Sequence, residues 1–250
     1  MTIQSETTPF FKALIYGHFG VGKTQFAGTA SDCEAMRDVL FVRIEDGTMT
    51  VRHKDHIELS RVVKKVADVE TIFWRLAQGK ADNPIRTVVL DSGTDLVQLC
   101  REEVVAKNCA KNPNKDKDQI SLRDHGDVNF ILTRLFRMFR DLPMHVIITA
   151  LVTERFNTDD PDEKMKRGPV QCLPAFPPML GSRVMAYVDH VWSIHRRENG
   201  SRFMLTQPKG PWTAKTRNDL FAVAIGTVIE NPTLPTIMQL LTEKTSKQND

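Results

Sequence analysis

The sequence has little cysteine and none of it closely spaced: Cys33, Cys100, Cys109 and Cys172 are the only four in 250 residues. The missing C-x-x-C pair removes the spacing of a structural zinc site, and four dispersed thiols are not the framework of a small disulfide-held domain. A reducing compartment is the expectation. No apolar run approaches the roughly 18 residues that a membrane span requires, and residues 1–9 are polar where a signal peptide carries an apolar core. These absences predict a cytoplasmic protein that does not cross a membrane. Charge of one sign is lacking too. A net of +3 from 34 basic and 31 acidic residues points to no polyanion, so a nucleic-acid argument rests on local clusters. There is no internal repeat.

What is present is core material. With 41% hydrophobic residues, the chain can bury one substantial core. A single α/β domain over residues 1–245 is expected, with a polar tail at 246–250. Short β-type apolar runs alternate with helical patterns, which predicts a mainly parallel central sheet with helices on both faces. The strand candidates are Lys12–Tyr16, Val39–Ile44, Thr87–Leu90, His145–Ala150, His190–His195 and Arg202–Gln207. The middle ones are continuously apolar, as strands covered on both sides are. Helices are expected at Lys23–Thr29, Thr71–Gly79 with a few residues before it, Thr94–Lys107, Val128–Arg140 and Leu234–Thr242. Ala110–Gly126 and Thr153–Pro178 lack periodicity and read as loops, the second with five prolines.

The chemistry begins at the end of the first strand. Gly17-His18-Phe19-Gly20-Val21-Gly22-Lys23-Thr24 is a G-x-x-x-x-G-K-T run set between a strand and a helix start. Glycines allow the backbone to curl so that successive N–H groups face phosphates, and the helix start adds its positive end. These eight residues and Gln25 are the candidate contacts to ATP. Lys23 is expected to reach the β- and γ-phosphates, and the Thr24 hydroxyl to bind Mg²⁺. Thr87-Val88-Val89-Leu90-Asp91 is an apolar strand ending in a carboxylate, which makes Asp91 the second metal-site residue. The plainer alternative is an Asp that caps the next helix. Ser92 is a candidate for bonding water or the metal shell, and Asp95 reads as a helix-start carboxylate. Val39–Ile44 ends in Glu45-Asp46-Gly47. Glu45, with Asp46 second, is the candidate that activates water; solvated acids beside a turn glycine are the alternative.

Taken together, GHFGVGKT at Gly17–Thr24, FVRIEDG at Phe41–Gly47, VVLDS at Val88–Ser92, VIITALVTE at Val146–Glu154 and WTAKTRND at Trp212–Asp219 resemble the RecA-like P-loop ATPases, especially the phage-type Sak-group single-strand annealing ATPases. The resemblance covers nearly the whole chain. It implies a RecA-like P-loop NTPase fold, ATP and Mg²⁺ as ligands, and Glu45 as the water-activating carboxylate. It further implies Thr149 as sensor of the γ-phosphate and Thr153–Pro178 as a contact to single-stranded DNA. Lys215 and Arg217 resemble the basic pair that reaches a neighbouring subunit's nucleotide in a ring or filament. Implied partners are therefore single-stranded DNA, further copies of the chain, and a single-strand-binding protein. The compartment would be a host cytoplasm, and the role DNA recombination or annealing. Thr149-Ala150 stands where classical recombinases carry glutamine, a departure at the phosphate-sensor position. No separate N-terminal DNA-binding or polymerisation domain is evident, which makes a reduced annealing or accessory role the expectation in place of full strand exchange.

Local charge gives mixed support for DNA. Lys107–His125 has five bases against three acids, and Arg134, Arg137 and Arg140 follow at three-residue spacing; an ordinary solvated helix face explains the same pattern. Residues 154–167 carry more acids than bases; Phe156 and Phe176 suit base stacking, and serve as often as small packing anchors. The most basic stretch is Arg196–Arg217, suited to a DNA track or to a phosphate contact between subunits. His190 and His195 point to opposite faces of one strand, a poor metal pair. Trp74, Trp192 and Trp212 read as core or interface, and the ten methionines as gap fillers. Two other functions suit a P-loop: a nucleotide or small-molecule kinase with Glu154–Arg167 as its lid, and a nucleotide-switched, helicase-loader-like protein.

Overall fold

Continuous apolar runs cannot leave a face in water, so the strands they form need helices above and below. The computed structural model, which describes residues 10–79, 84–112, 115–116, 119–217 and 219–246, has that arrangement. In chain order it contains β1 (Lys12–Gly17), α1 (Lys23–Gly28), β2 (Val39–Arg43), β3 (Ile57–Leu59), α2 (Val66–Ala77), β4 (Thr87–Asp91), α3 (Gly93–Lys111), α4 (Leu122–Arg140) and β5 (His145–Arg155). There follow α5 (Pro161–Arg167), β6 (Gln171–Pro174), α6 (Pro178–Tyr187), β7 (His190–Arg196), β8 (Arg202–Leu205), β9 (Lys215–Thr216), α7 (Asp219–Ile225), β10 (Val228–Glu230) and α8 (Leu234–Ser246). No described helix is long and apolar enough to cross a membrane.

The sheet runs β10-β8-β7-β1-β5-β4-β2-β3, with β6 on β5 and β9 on β7. From β7 to β3 every neighbouring pair is parallel; β8 and β10 add an antiparallel edge. Alternate residues of one strand enter opposite cores. Leu14 and Tyr16 of β1 face α2, α3, α4 and α6, whereas Ala13 and Ile15 face α1, α7 and α8. β5 lies between β1 and β4. The glycine-rich turn after β1 and the carboxylate ending β4 therefore stand one strand apart at the same edge of the sheet.

Both expected loops contain regular structure. α3 extends to Lys111 and α4 starts at Leu122, where a capping box joins Ser121 and Asp124. Between them Lys115 ion-pairs with the buried Asp124. Hydrogen bonds from Lys115, Asn108 and Ser121 hold that carboxyl well below the usual range. Lys117 and Asp118 lie outside the described residues, as does the tail beyond Ser246. The second segment is an arm: β5 runs on to Arg155, α5 crosses its tip, and β6 returns antiparallel to β5. Acids in the first turn of α5 and bases in the last give it a favourable charge order that apolar periodicity does not reveal.

Candidate nucleotide site

The turn after β1 is held by backbone conformations suited to glycine. Gly20 and Gly22 have φ of 71° and 99°, and a Cβ on Gly17 would come within 2.4 Å of the Ile194 carbonyl oxygen. Gly22 is the N-cap of α1 and offers no side-chain cap. The first-turn N–H groups of a helix have no intrahelical acceptor, so this end is open to an anion. Lys23 Nζ donates to the carbonyls of Gly17 and His18 at 3.1 and 2.8 Å. Burial lowers its pKa, and Asp91, Glu45 and Asp95 oppose that shift.

Asp91 is 2% exposed at the end of β4. Thr24 on α1 donates to its Oδ2 at 2.9 Å, and Thr149 on β5 donates to its Oδ1 at 2.5 Å. Burial raises the Asp91 pKa; these two hydroxyls and Lys23 pull it down. The N-cap of α3 is Ser92, which accepts from the Asp95 N–H at 3.3 Å and is also bonded to the Asp95 carboxylate. Asp91 is thus not the helix cap, and Ser92 is. Thr149 is completely buried; its hydroxyl meets Asp91 and, at 3.4 Å, the Leu90 carbonyl.

These groups open into a cleft of about 530 Å³ lined by Gly20, Gly22, Lys23, Thr24, Gln25, Glu45, Asp91 and Asp95. Glu45 follows β2 on the far side. Partial burial raises its pKa, with the charges of Asp95 and Asp91 adding and Lys23 subtracting. Asp46 turns instead to Arg43 at 3.2 Å. An open helix end, a lysine, and hydroxyl and carboxylate oxygens at one sheet edge fit a triphosphate with magnesium, a cation that prefers oxygen ligands and uses few protein ones. No cluster of three His, Cys, Asp or Glu side chains suited to a metal is found among the described residues.

Other expected residues lie elsewhere. Lys215 Nζ donates to the carbonyls of Met185 and Val188 at 2.6 and 2.7 Å. Arg217 bonds the Ala186 carbonyl at 2.8 Å and Asp189 at 2.7 Å. Both serve the C-terminal end of α6, where unpaired carbonyls accumulate, and neither lines the cleft of its own chain. Arg134 is paired with Glu70 and Arg140 with Asp141. Phe176 is a core residue packed edge-on to Phe136, the packing anchor of its two readings and not the base-stacking one. Phe156 lies under Lys164. Trp192 is fully buried, but Trp74 is 56% exposed. His190 and His195 sit apart, the first among Phe11, Trp192 and Phe221, the second stacked on Phe203. Arg196 and Arg202 also line the cleft, and neither had an individual signal in the sequence; their hint was the basic stretch Arg196–Arg217 that contains them.

A strand, a glycine-rich turn and a helix before a mostly parallel sheet make this a P-loop NTPase domain, consistent with the RecA-like architecture expected from the sequence. The chain belongs to the family described as the AAA domain, whose match spans residues 10–218. A solved structure titled "Crystal structure of the RadB recombinase" is similar at 17% identity and a TM-score of 0.41, over 80% of this chain and 86% of that one. No curated protein matches.

Proposed function

We propose that the protein binds Mg-ATP in the cleft before α1, hydrolyses it, and acts on single-stranded DNA in recombination or annealing as a homo-oligomer. The observation that carries the ATPase reading is the Asp91 carboxylate, bracketed by the hydroxyls of Thr24 and Thr149 one strand from the glycine-rich turn. In this reading phosphate oxygens replace the two carbonyls that Lys23 now bonds, and the first-turn N–H groups of α1 bind the rest. Thr24 and Asp91 are the residues that would hold magnesium, whose charge offsets that developing on the phosphates. Glu45 accepts a proton as a water oxygen bonds the γ-phosphorus and the bond to the β–γ bridging oxygen breaks. Its raised pKa is the direction that strengthens a carboxylate base. Thr149, bonded to Asp91, acts as a positioning residue for that carboxylate.

The DNA reading rests on the order of the sequence motifs and on one contact. The β5–β6 arm, the segment expected to meet DNA, touches the glycine-rich turn through Glu154 and His18 at 3.5 Å. A strand bound on the arm thus has a short route to the phosphate site. The test is ATP turnover with and without single-stranded DNA, run beside annealing of complementary strands. DNA-stimulated turnover with annealing supports the proposal. Turnover that follows a phosphoryl acceptor and ignores DNA replaces it with the kinase reading.

A further inference from the structure

We infer that Arg196 and Arg202 form a phosphate clamp in cis, in which two guanidiniums on the β7–β8 hairpin grip the anionic side of the nucleotide. The inference rests on the nucleotide site proposed above.

In the antiparallel register of β7 and β8, Arg196 stands directly opposite Arg202. Opposed residues project from the same face of the sheet, and like charges at such positions destabilise the pair. The hairpin handles a neighbouring arginine differently: Arg197 forms a two-pronged ion pair with Glu230. Neither Arg196 nor Arg202 has a carboxylate partner among the described residues. Both instead line the cleft of Lys23, Thr24 and Asp91.

Arg202 is already fixed there. Its Nε donates to the Val21 carbonyl at 2.8 Å, and its guanidinium lies against Gly22, where a Cβ would come within 2.5 Å of Nε. Its two terminal nitrogens remain as donors. The arginines reach the cleft from β7 and β8 on one side of β1, and Glu45, Asp91 and Asp95 follow β2 and β4 on the other. A magnesium triphosphate has the same polarity, cation toward the carboxylates and phosphate oxygens toward the arginines. An anion held between the guanidiniums converts their repulsion into two charge-assisted contacts. Nucleotide binding and hairpin stability are therefore linked.

The test is calorimetry of Mg-ATP binding to the full chain, with thermal unfolding alongside, for wild type, Arg196→Gln and Arg202→Gln. Arg196→Gln removes no P-loop contact and keeps the test open should Arg202→Gln loosen the turn. Arg196→Gln is expected to melt higher than wild type without ligand, to bind Mg-ATP about 10- to 100-fold more weakly, and to gain less stability from it. Arg202→Gln should show at least the same loss of affinity. Wild-type affinity in both variants overturns the clamp and leaves the nucleotide site standing. Wild-type protein that ignores Mg-ATP overturns both.

Discussion

Thr149 on β5 donates its hydroxyl to Oδ1 of Asp91 on β4 at 2.5 Å, while Thr24 occupies Oδ2. The parallel register of the two strands ends with Leu90 beside Ile148, so Thr149 falls level with the carboxylate. A carboxylate this buried needs donors to stay ionised. Thr149→Val keeps the shape and removes one. The Asp91 pKa should rise further, and a magnesium titration of ATP affinity should then show weaker binding that recovers at higher pH. A pH-independent magnesium requirement identical to wild type would remove the positioning role.

Lys23→Ala and Glu45→Gln should separate binding from turnover. The first is expected to abolish Mg-ATP binding in calorimetry. The second should bind ATP with near wild-type affinity and lose turnover by about 10²-fold or more, the scale of a removed general base. Because the Glu45 pKa is raised in the free protein, the acid limb of the wild-type kcat/KM profile should lie above the ordinary carboxylate value of 4.5, and the Gln variant should lack that limb.

Gly22 tests the turn itself. Its φ of 99° disfavours any side chain, and a Cβ would meet Arg202. Gly22→Ala should lower stability by about 1–2 kcal/mol from the left-handed backbone alone, read in urea unfolding, and should weaken ATP binding. An unchanged midpoint would show that the turn tolerates another geometry.

Lys215 places a half-buried ammonium on two carbonyls at the C-terminal end of α6. Lys215→Met leaves those acceptors unpaired and should cost about 1–3 kcal/mol of stability. Turnover that returns when Lys215→Met is mixed with Lys23→Ala protein would reveal a contribution across a subunit interface; a stability loss without such rescue assigns Lys215 to the helix end.

His145 and His190 are buried and their pKa values are lowered to about 4 and about 3, chiefly by burial. Unfolded, each binds its proton near 6.5. Below that pH the unfolded chain takes up protons the fold refuses, so stability falls as pH drops from about 6.5 toward 4, by at most about 1.4 kcal/mol per pH unit per histidine. Urea midpoints across this window should decline, and His190→Phe, placed among Phe11, Trp192 and Phe221, should flatten the slope.

How far the sequence reached follows from the range of the forces involved. The glycine pattern at Gly17–Thr24, the runs that become β1, β2, β4 and β5, and the carboxylate ending Thr87–Asp91 are local statements about backbone freedom and burial. They specified a P-loop before a parallel sheet without knowledge of any neighbour. The same locality misjudged Ala110–Gly126 and Thr153–Pro178. Their short elements depend on capping at Ser121 and on pairing of β6 with β5, not on periodicity.

What only the tertiary structure decided is who meets whom across the sheet. The strand order β1-β5-β4 brings Thr149 to Asp91. The hairpin register brings Arg196 opposite Arg202 and lays Arg202 on Gly22, and the α6 terminus draws Lys215 and Arg217 away from the cleft. Each of these partners is separated by tens of residues or is unmarked by spacing, and a contact between strands is fixed by register, which no single stretch of sequence encodes.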